Sequence, residues 1–379
     1  MKAVKFSPIN GNNIGDLAIS DSICFLFRKH NVEVISYDIL FREPRSYQFE
    51  KATTLYKNKL SGFLQYKTPK FFSLLKALVF WANRDLQNFK NSIASFDFVI
   101  FGGGNLIMSK MGSDYGLRIA RFSRSTSKPV VLFAVGVGPF LSAKRKILDS
   151  VIATSCYFSV RDSNSAIYFD GYREDSKPFL SIDPAFVISE IYPAANTGYK
   201  SFIGVNIISN YFSDSELQSL AHNIANLAKK KALAVKVVTT AFPADAHEAQ
   251  KFVDFLTVNS SFSGVVKRFN LNQDLSNLSA CYQDIKYFIG CRMHSIVFAL
   301  SYGIPSLAFN WDPKVKSMLQ RFMGSDFKSD IIINVQADLY PLFEQLEPIN
   351  YKGLLEDAQQ NIESDVLSAI DAVTMKLRK

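Results

Sequence analysis

Arg292 and His294 stand two residues apart, just after an apolar run that ends in Gly290, within Phe288-Ile289-Gly290-Cys291-Arg292-Met293-His294-Ser295. The residues from Ser295 to Ser301 read as a buried helix, so this segment is a strand, a turn and a helix start. At such a start, free backbone N–H groups and the positive end of the helix dipole favour an anion. Arginine adds a planar fork suited to carboxylate or phosphate. Histidine, with a reference pKa of about 6.5, can give or take a proton near neutral pH. A polar pair satisfied by some neighbouring acid is the plainer reading, but an unpaired charge beside a buried segment is costly. Gly303-Ile304-Pro305 and Trp311-Asp312-Pro313-Lys314 follow. The residue types point to an acidic substrate and a proton transfer.

Other loops carry residues of the same kind. Asn10-Gly11-Asn12-Asn13-Ile14-Gly15-Asp16 precedes a helical pattern. Glycine there lets backbone approach a ligand, and Asn or Asp can cap the helix; taken alone, a capped turn is the better account. In Asp97-Phe98-Val99-Ile100-Phe101-Gly102-Gly103-Gly104-Asn105, three glycines after a buried strand leave room for a phosphate, a sugar or an opposing domain. Gly136-Val137-Gly138-Pro139 repeats that arrangement one strand later. Ser159-Val160-Arg161-Asp162 ends a strand in an arginine, which is either a binding group or a solvated turn residue paired with Asp162. Ser181-Ile182-Asp183-Pro184 places an acid before proline, an extended turn read as structural.

The elements that must position these loops alternate along the chain. Strand patterns fall at Ala3–Phe6, Val32–Ser36, Phe96–Phe101, Val130–Val135 and Tyr157–Val160. A second series runs through Phe202–Ile208, Ala234–Thr239, Gly264–Phe269, Ile285–Ile289 and Ser306–Phe309. Helical patterns such as Asp16–Lys29, Glu216–Lys230, Ala246–Leu256 and Ile296–Tyr302 separate them. The alternation predicts an α/β protein with parallel sheets, and 379 residues favour two domains over one core. Tyr192-Pro193-Ala194-Ala195-Asn196-Thr197-Gly198 interrupts the pattern. The expected organisation is therefore an N-terminal Rossmann-like domain over 1–192 and a second over 199–350. A helical segment over 351–379 completes it. Two such domains facing a cleft place their strand-end loops together.

Composition narrows the function classes. Cys24, Cys156, Cys281 and Cys291 show no metal or redox spacing and read as buried free thiols of a reducing compartment. The start, Met1 to Gly11, has too short an apolar run for a signal peptide, and no apolar stretch reaches the roughly 20 residues that cross a bilayer. The expected location is cytoplasmic. The net charge of +9 is uneven: between Lys51 and Lys90, eight Lys or Arg and eight aromatics accompany a single acid, Asp85. Leu75, Leu78, Ala82, Leu86 and Phe89 repeat there at helical spacing. A core helix with a solvated basic face explains the pattern. Peripheral contact with an anionic membrane at the inner face, or with a lipid-linked substrate, explains it too. No helix-turn-helix, zinc or RNA-recognition signature points to nucleic acid. Metalloprotease, Walker, GxSxG and GxGxxG patterns are missing, and no metal site is expected.

The ordered set of motifs resembles the polysaccharide pyruvyl transferase family. The resemblance rests on N-x-G-D at Asn13, Gly15 and Asp16, on D-x-x-x-x-G-G-G-N from Asp97 to Asn105, and on G-V-G-P at 136–139. It continues through V-R-D-x-x-S at 160–165, D-P-A-F at 183–186 and G-V-N at 204–206. Its strongest part is G-x-R-x-H-S at 290–295, with G-x-P at 303–305 and D-P-K at 312–314. Cys291, and Trp311 where the family often has tyrosine, leave those last elements intact. The resemblance implies a glycosyltransferase-B-like fold and transfer of a pyruvyl group from phosphoenolpyruvate to a sugar as a ketal, with 1–192 on the acceptor side and 199–350 on the donor side. It implies that Arg161 and Arg292 bind phosphoenolpyruvate and that His294 is catalytic.

A carboxylate and a phosphate on one donor suit two arginines and a helix start. Protonating the donor's methylene carbon creates a cationic centre at C2, a task for His294 as general acid. Lys314 is placed to assist the phosphate, and Asp16 to take a proton from the acceptor hydroxyl. Asn13, Gly103, Gly104 and Asn105 complete the expected substrate contacts, and no cofactor beyond the donor is expected. Two other readings stand beside this one. One is a glycosyltransferase of the same architecture using a nucleotide sugar; the other is a non-catalytic carbohydrate or membrane-surface binding protein on an enzyme scaffold.

Overall fold

Two fully parallel sheets carry the chain. The computed structural model describes residues 1–10, 13–41, 84–109, 115–140, 144–195, 200–259, 262–271 and 274–378. Most of the basic aromatic stretch between Lys51 and Lys90 therefore lies outside the described residues, as do Asn196, Thr197 and Gly198. The first sheet contains β1 (Lys2–Ser7), β2 (Glu33–Asp38), β3 (Phe98–Gly102), β4 (Asn105–Ser109), β5 (Val130–Phe140), β6 (Tyr157–Val160) and β7 (Phe179–Leu180). Their order is β2-β1-β3-β5-β6-β7, with β4 added along the far part of β5. The second sheet contains β8 (Phe202–Asn206), β9 (Ala234–Thr239), β10 (Val266–Asn270), β11 (Ile285–Gly290), β12 (Ser306–Phe309) and β13 (Ile332–Ile333). Its order is β10-β9-β8-β11-β12-β13.

β3 and β8 are buried at every position. Both read as near-continuous apolar runs because helices cover both faces of a parallel sheet. The order in which strands are added reverses once in each sheet, between β1 and β3 in the first and between β8 and β11 in the second. A crevice opens at such a reversal, beyond the carboxyl ends of the strands. Asn206 lies opposite Gly290, so β8 and β11 end level with each other. β4, β7 and β13 were not expected from the sequence. β7 and β13 are two residues each, too short to show a period, and β4 begins directly after the glycines that read as loop.

Four helices position the site: α1 (Ile14–Lys29), α2 (Met293–Ser301), α3 (Pro313–Met323) and α4 (Tyr351–Leu377). α1 starts with an Asn13 cap and ends in Arg28 and Lys29, each charge suited to its end of the dipole. Lys5 fastens it to β1 from below: the buried ammonium donates to Ser7 Oγ at 3.1 Å, to the Ser20 carbonyl at 3.0 Å and to the Ser20 hydroxyl. The inner face of α1 joins a core that continues through the segment Pro184–Ile191 into the second sheet. Phe186 of that segment stacks on Phe322 of α3, with centroids 4.5 Å apart and planes 5° from parallel. A separate core fills the other face of the first sheet. There Phe89, in the helix Arg84–Ile93, is fully buried and stacks on Phe122 at 4.3 Å. That end of the basic stretch is thus core. Three of the four cysteines are buried free thiols; Cys156 is only partly covered. No helix among the described residues is long and apolar enough to cross a membrane.

α4, 27 residues and about 40 Å long, runs back across the molecule to the first sheet. Its Asp365 is fully buried and accepts hydrogen bonds from the Tyr157 hydroxyl and, at 2.9 Å, from Ser159 Oγ of β6. Burial pushes the Asp365 carboxyl up to about 6, the Ser181, Tyr157 and Ser159 hydroxyls pulling only partly against it. A carboxyl that titrates near 6 folded and near 3.9 unfolded holds its proton more tightly in the folded chain. Its contribution to stability is therefore full at acid pH, declines as pH rises towards 6, and is gone above that. Asp365→Asn should then gain on the wild type by about 1–2 kcal/mol between pH 5 and pH 8, measured by urea unfolding. A difference that does not change with pH would rule out this titration.

Candidate active site

The first sheet supplies one wall of the cleft from its strand ends. Asn13 caps α1 by accepting from Gly15 N at 3.1 Å, which leaves Asp16 in the first turn facing the crevice beyond β1. Gly103 and Gly104 link β3 to β4 with φ of +97° and +74°, a region that favours glycine. They lie just behind the cleft: a Cβ on Gly104 would stand 2.6 Å from Asp16 Oδ1. Asn105 follows, and its Oδ1 accepts from Arg161 Nη2 at 2.9 Å. Gly136 makes room for it, since a Cβ there would come within 2.0 Å of that oxygen. Arg161, just past β6, is 4% exposed. The solvated turn considered for it does not occur: Nη1 donates to Asp183 Oδ2 at 2.8 Å, and Asp162 Oδ2 lies 3.6 Å from Nε.

The second sheet supplies the facing wall. Arg292 occupies the position just before α2, and its backbone N–H donates to the buried Asn206 side chain at 2.9 Å. Ser295 Oγ donates to the same carbonyl oxygen at 3.0 Å. The guanidinium forks onto the fully buried Asp245, through Nε and through Nη2 at 2.9 Å. Two residues on, His294 packs over the first turn of α1, where a Cβ on Gly15 would fall 2.0 Å from its Nδ1. Its Nε2 is 3.5 Å from Asp183 Oδ2, beyond good hydrogen-bond reach, and is buried without a hydrogen-bond partner among the described residues. Trp311 donates its indole N–H to the Cys291 carbonyl at 2.6 Å. Asp312 caps α3, and the Lys314 ammonium sits 3.1 Å from Asp312 and 5.3 Å from the Trp311 ring.

Between the walls lies a cleft of about 200 Å³, lined by Asn13, Asp16, Asn105 and Arg161 on one side and by Thr240, Arg292, His294, Trp311 and Lys314 on the other. Cations face the cleft while the acids that hold them, Asp183 and Asp245, sit behind. Burial alone would raise the Asp183 carboxyl, but Arg161 and His294 outweigh it and hold it down at about 2. Asp16 goes the other way. It is partly accessible from the cleft, yet burial pushes its carboxyl up against the opposing pull of His294, Arg161 and a hydrogen bond to Asn13. One carboxylate is thus kept ionised behind the histidine, and another is made readier to hold a proton in front of it. No group of three or more His, Cys, Asp or Glu among the described residues could hold a metal ion.

Asn13, Asp16, Asn105, Arg161, Arg292, His294 and Lys314, singled out from the sequence, meet at this one cleft. Gly103 and Gly104 support it from behind. Asp183 corrects the sequence reading: the acid-proline turn is not structural only, because its carboxylate joins Arg161 to His294. Its position before Pro184 at a strand end was visible; its partners, 22 and 111 residues away, were not. Asp245 and Thr240 had no local signal and were missed.

The family model for polysaccharide pyruvyl transferase matches residues 13–313, about four fifths of the chain, and the chain belongs to that family. A search of curated proteins finds no match. Among solved structures the chain is similar to a putative UDP-N-acetylglucosamine 2-epimerase from Listeria monocytogenes, at 10% identity and TM-score 0.55, over 97% of this chain and 93% of that one. It is also similar to the UDP-GlcNAc 2-epimerase of Methanocaldococcus jannaschii, at 10% identity and TM-score 0.53, over 93% and 94%. For S. aureus MnaA, in a co-structure with UDP, the values are 11% and 0.51, over 96% and 91%. At these identities the likeness is one of fold, and the fold is glycosyltransferase-B-like, as expected.

Gly15→Ala tests the packing of the histidine on α1. In an unobstructed helix the change would stabilise by about 1 kcal/mol; here the new methyl collides with the His294 ring. The expected outcome is a destabilisation of about 1–3 kcal/mol from overpacking, seen as a lowered Tm, with shifted His294 ring resonances in ¹H–¹⁵N spectra. Unmoved resonances would contradict the packing.

Proposed function

We propose that this member of the polysaccharide pyruvyl transferase family moves a pyruvyl group from phosphoenolpyruvate to a sugar, forming a pyruvate ketal. The acceptor is a sugar of a cell-surface polysaccharide or of its lipid-linked precursor. One observation carries the reading: two arginines, and a histidine whose buried Nε2 makes no hydrogen bond among the described residues, converge from two different sheets on one small cleft. A volume of about 200 Å³ suits a three-carbon acid phosphate, whereas drug-sized ligands fill roughly 300–1,000 Å³. The nucleotide-sugar alternative rests on fold alone.

The donor's two anionic groups call for two cations in fixed geometry. Arg161 and Arg292 fit that need because buried carboxylates hold their guanidiniums in place, so little freedom is lost on binding. His294 gives a proton to the methylene carbon, which becomes the methyl group, and C2 becomes an oxocarbenium centre. A sugar hydroxyl adds to C2 and its proton passes to Asp16. The C2–O bond to phosphate then breaks, and a second hydroxyl closes the ketal. Of the two hydroxyl protons, one balances the proton now on carbon and the other leaves on the phosphate. Lys314 meets charge on the departing phosphate. Side chains supply every charge the scheme needs, and it uses no metal or other cofactor. If the acceptor is lipid-linked, the basic stretch between Lys51 and Lys90 is the part of the chain that brings the enzyme to an anionic membrane face.

His294→Gln keeps a polar side chain of similar reach but cannot act as the acid. It should bind phosphoenolpyruvate within about threefold of the wild type and lose about 10²–10⁴ in turnover, the usual worth of a positioned acid. Turnover within tenfold of the wild type would place the proton donor elsewhere.

A further inference from the structure

Three side chains that line the cleft carry a buried polar atom with no hydrogen-bond partner among the described residues: Arg161 Nε, His294 Nε2 and Thr240 Oγ1. The first two already have roles in the reading above. Thr240 has none. It directly follows β9, the strand beside β8, and its side chain is 1% exposed. A buried hydroxyl left unpaired costs about 1–3 kcal/mol, and a valine of the same shape would avoid that cost. A threonine in this place is explained by a partner that arrives with the ligand.

The surroundings indicate which part of the ligand it meets. The loop after β9 also carries Asp245, which forks Arg292, so Thr240 and Arg292 share one wall. Met293, in the first turn of α2, lies on the same wall, and Lys314 enters from the start of α3. A hydroxyl, a guanidinium, an ammonium and the starts of two helices are all donors or positive ends, the set that suits a tetrahedral dianion. Arg161 stands across the cleft, on the side left for the donor's other anionic group. Resting on the donor reading above, we propose that Thr240 donates a hydrogen bond to a phosphate oxygen of the donor. It thereby makes the site selective for phosphoenolpyruvate over pyruvate.

Thr240→Val and Thr240→Ser separate the hydroxyl from the shape of the side chain. Titrations of phosphoenolpyruvate, and of pyruvate at high concentration, should be run on both variants and on the wild type. The valine variant should bind phosphoenolpyruvate about 10–100-fold more weakly, the range for a hydrogen bond to a charged group, with an unliganded Tm equal to or above that of the wild type. The serine variant should stay within about threefold, and pyruvate should bind the wild type and the valine variant equally. Equal phosphoenolpyruvate affinity in the wild type and the valine variant overturns this inference and leaves the donor reading standing. A deficit that appears for pyruvate as well assigns the hydroxyl to the carboxylate and overturns it too. A wild type that binds no phosphoenolpyruvate removes the donor reading and this inference with it.

Discussion

Asp183 carries a negative charge into the interior, and the site depends on how that charge is met. Its carboxylate lies 2.8 Å from Arg161, which comes from the first sheet, and 3.5 Å from His294, which comes from the second. Removing a carboxylate from water is expensive unless partners return the loss, and here they do so well enough to hold it ionised down to about 2. The residue sits at the head of Pro184–Ile191, the segment that packs between the two sheets. Electrostatics and packing therefore set the same thing: the distance across the cleft.

The same construction appears on the opposite wall. Arg292 is forked by the fully buried Asp245, and the turn that carries Arg292 is held by the Asn206 side chain. An arginine fixed from behind presents its remaining donors forward in one orientation, whereas a free side chain would have to be ordered by the ligand. Three glycines complete the arrangement by absence of bulk. Gly15, Gly104 and Gly136 each leave the space occupied by a polar side chain of the site: His294, Asp16 and Asn105. In each case a Cβ would fall at 2.6 Å or closer to a polar atom. Glycine stands at these three positions because other side chains of the site fill the space beside them.

Much of this was legible in the sequence, for reasons of range. The strands of a parallel sheet covered on both faces are near-continuous apolar runs, so Phe98–Gly102, Phe202–Asn206 and Ile285–Gly290 stood out. The residues at their ends were found because ligands gather at strand ends in such folds. What stayed hidden depends on contacts between distant residues. Nothing around Asp183 announced Arg161 or His294, and nothing around Asp245 announced Arg292. The turn at Arg161 could be read either as a binding group or as solvated, because the acid covering it lies 22 residues away. β4, β7 and β13 were missed for a local reason, being either very short or placed directly after glycine.

The central claim is that the paired cations of this cleft hold a three-carbon acid phosphate. Calorimetric titration of phosphoenolpyruvate and, separately, of uridine diphosphate into the wild type and into Arg292→Lys tests it most directly. Lysine keeps a positive charge beside Asp245 but cannot fork, so the fold should survive while the anion site loses its geometry. The account predicts saturable phosphoenolpyruvate binding that weakens about tenfold or more in the variant, with uridine diphosphate giving no heat. Tight uridine diphosphate binding to a wild type that ignores phosphoenolpyruvate would contradict it.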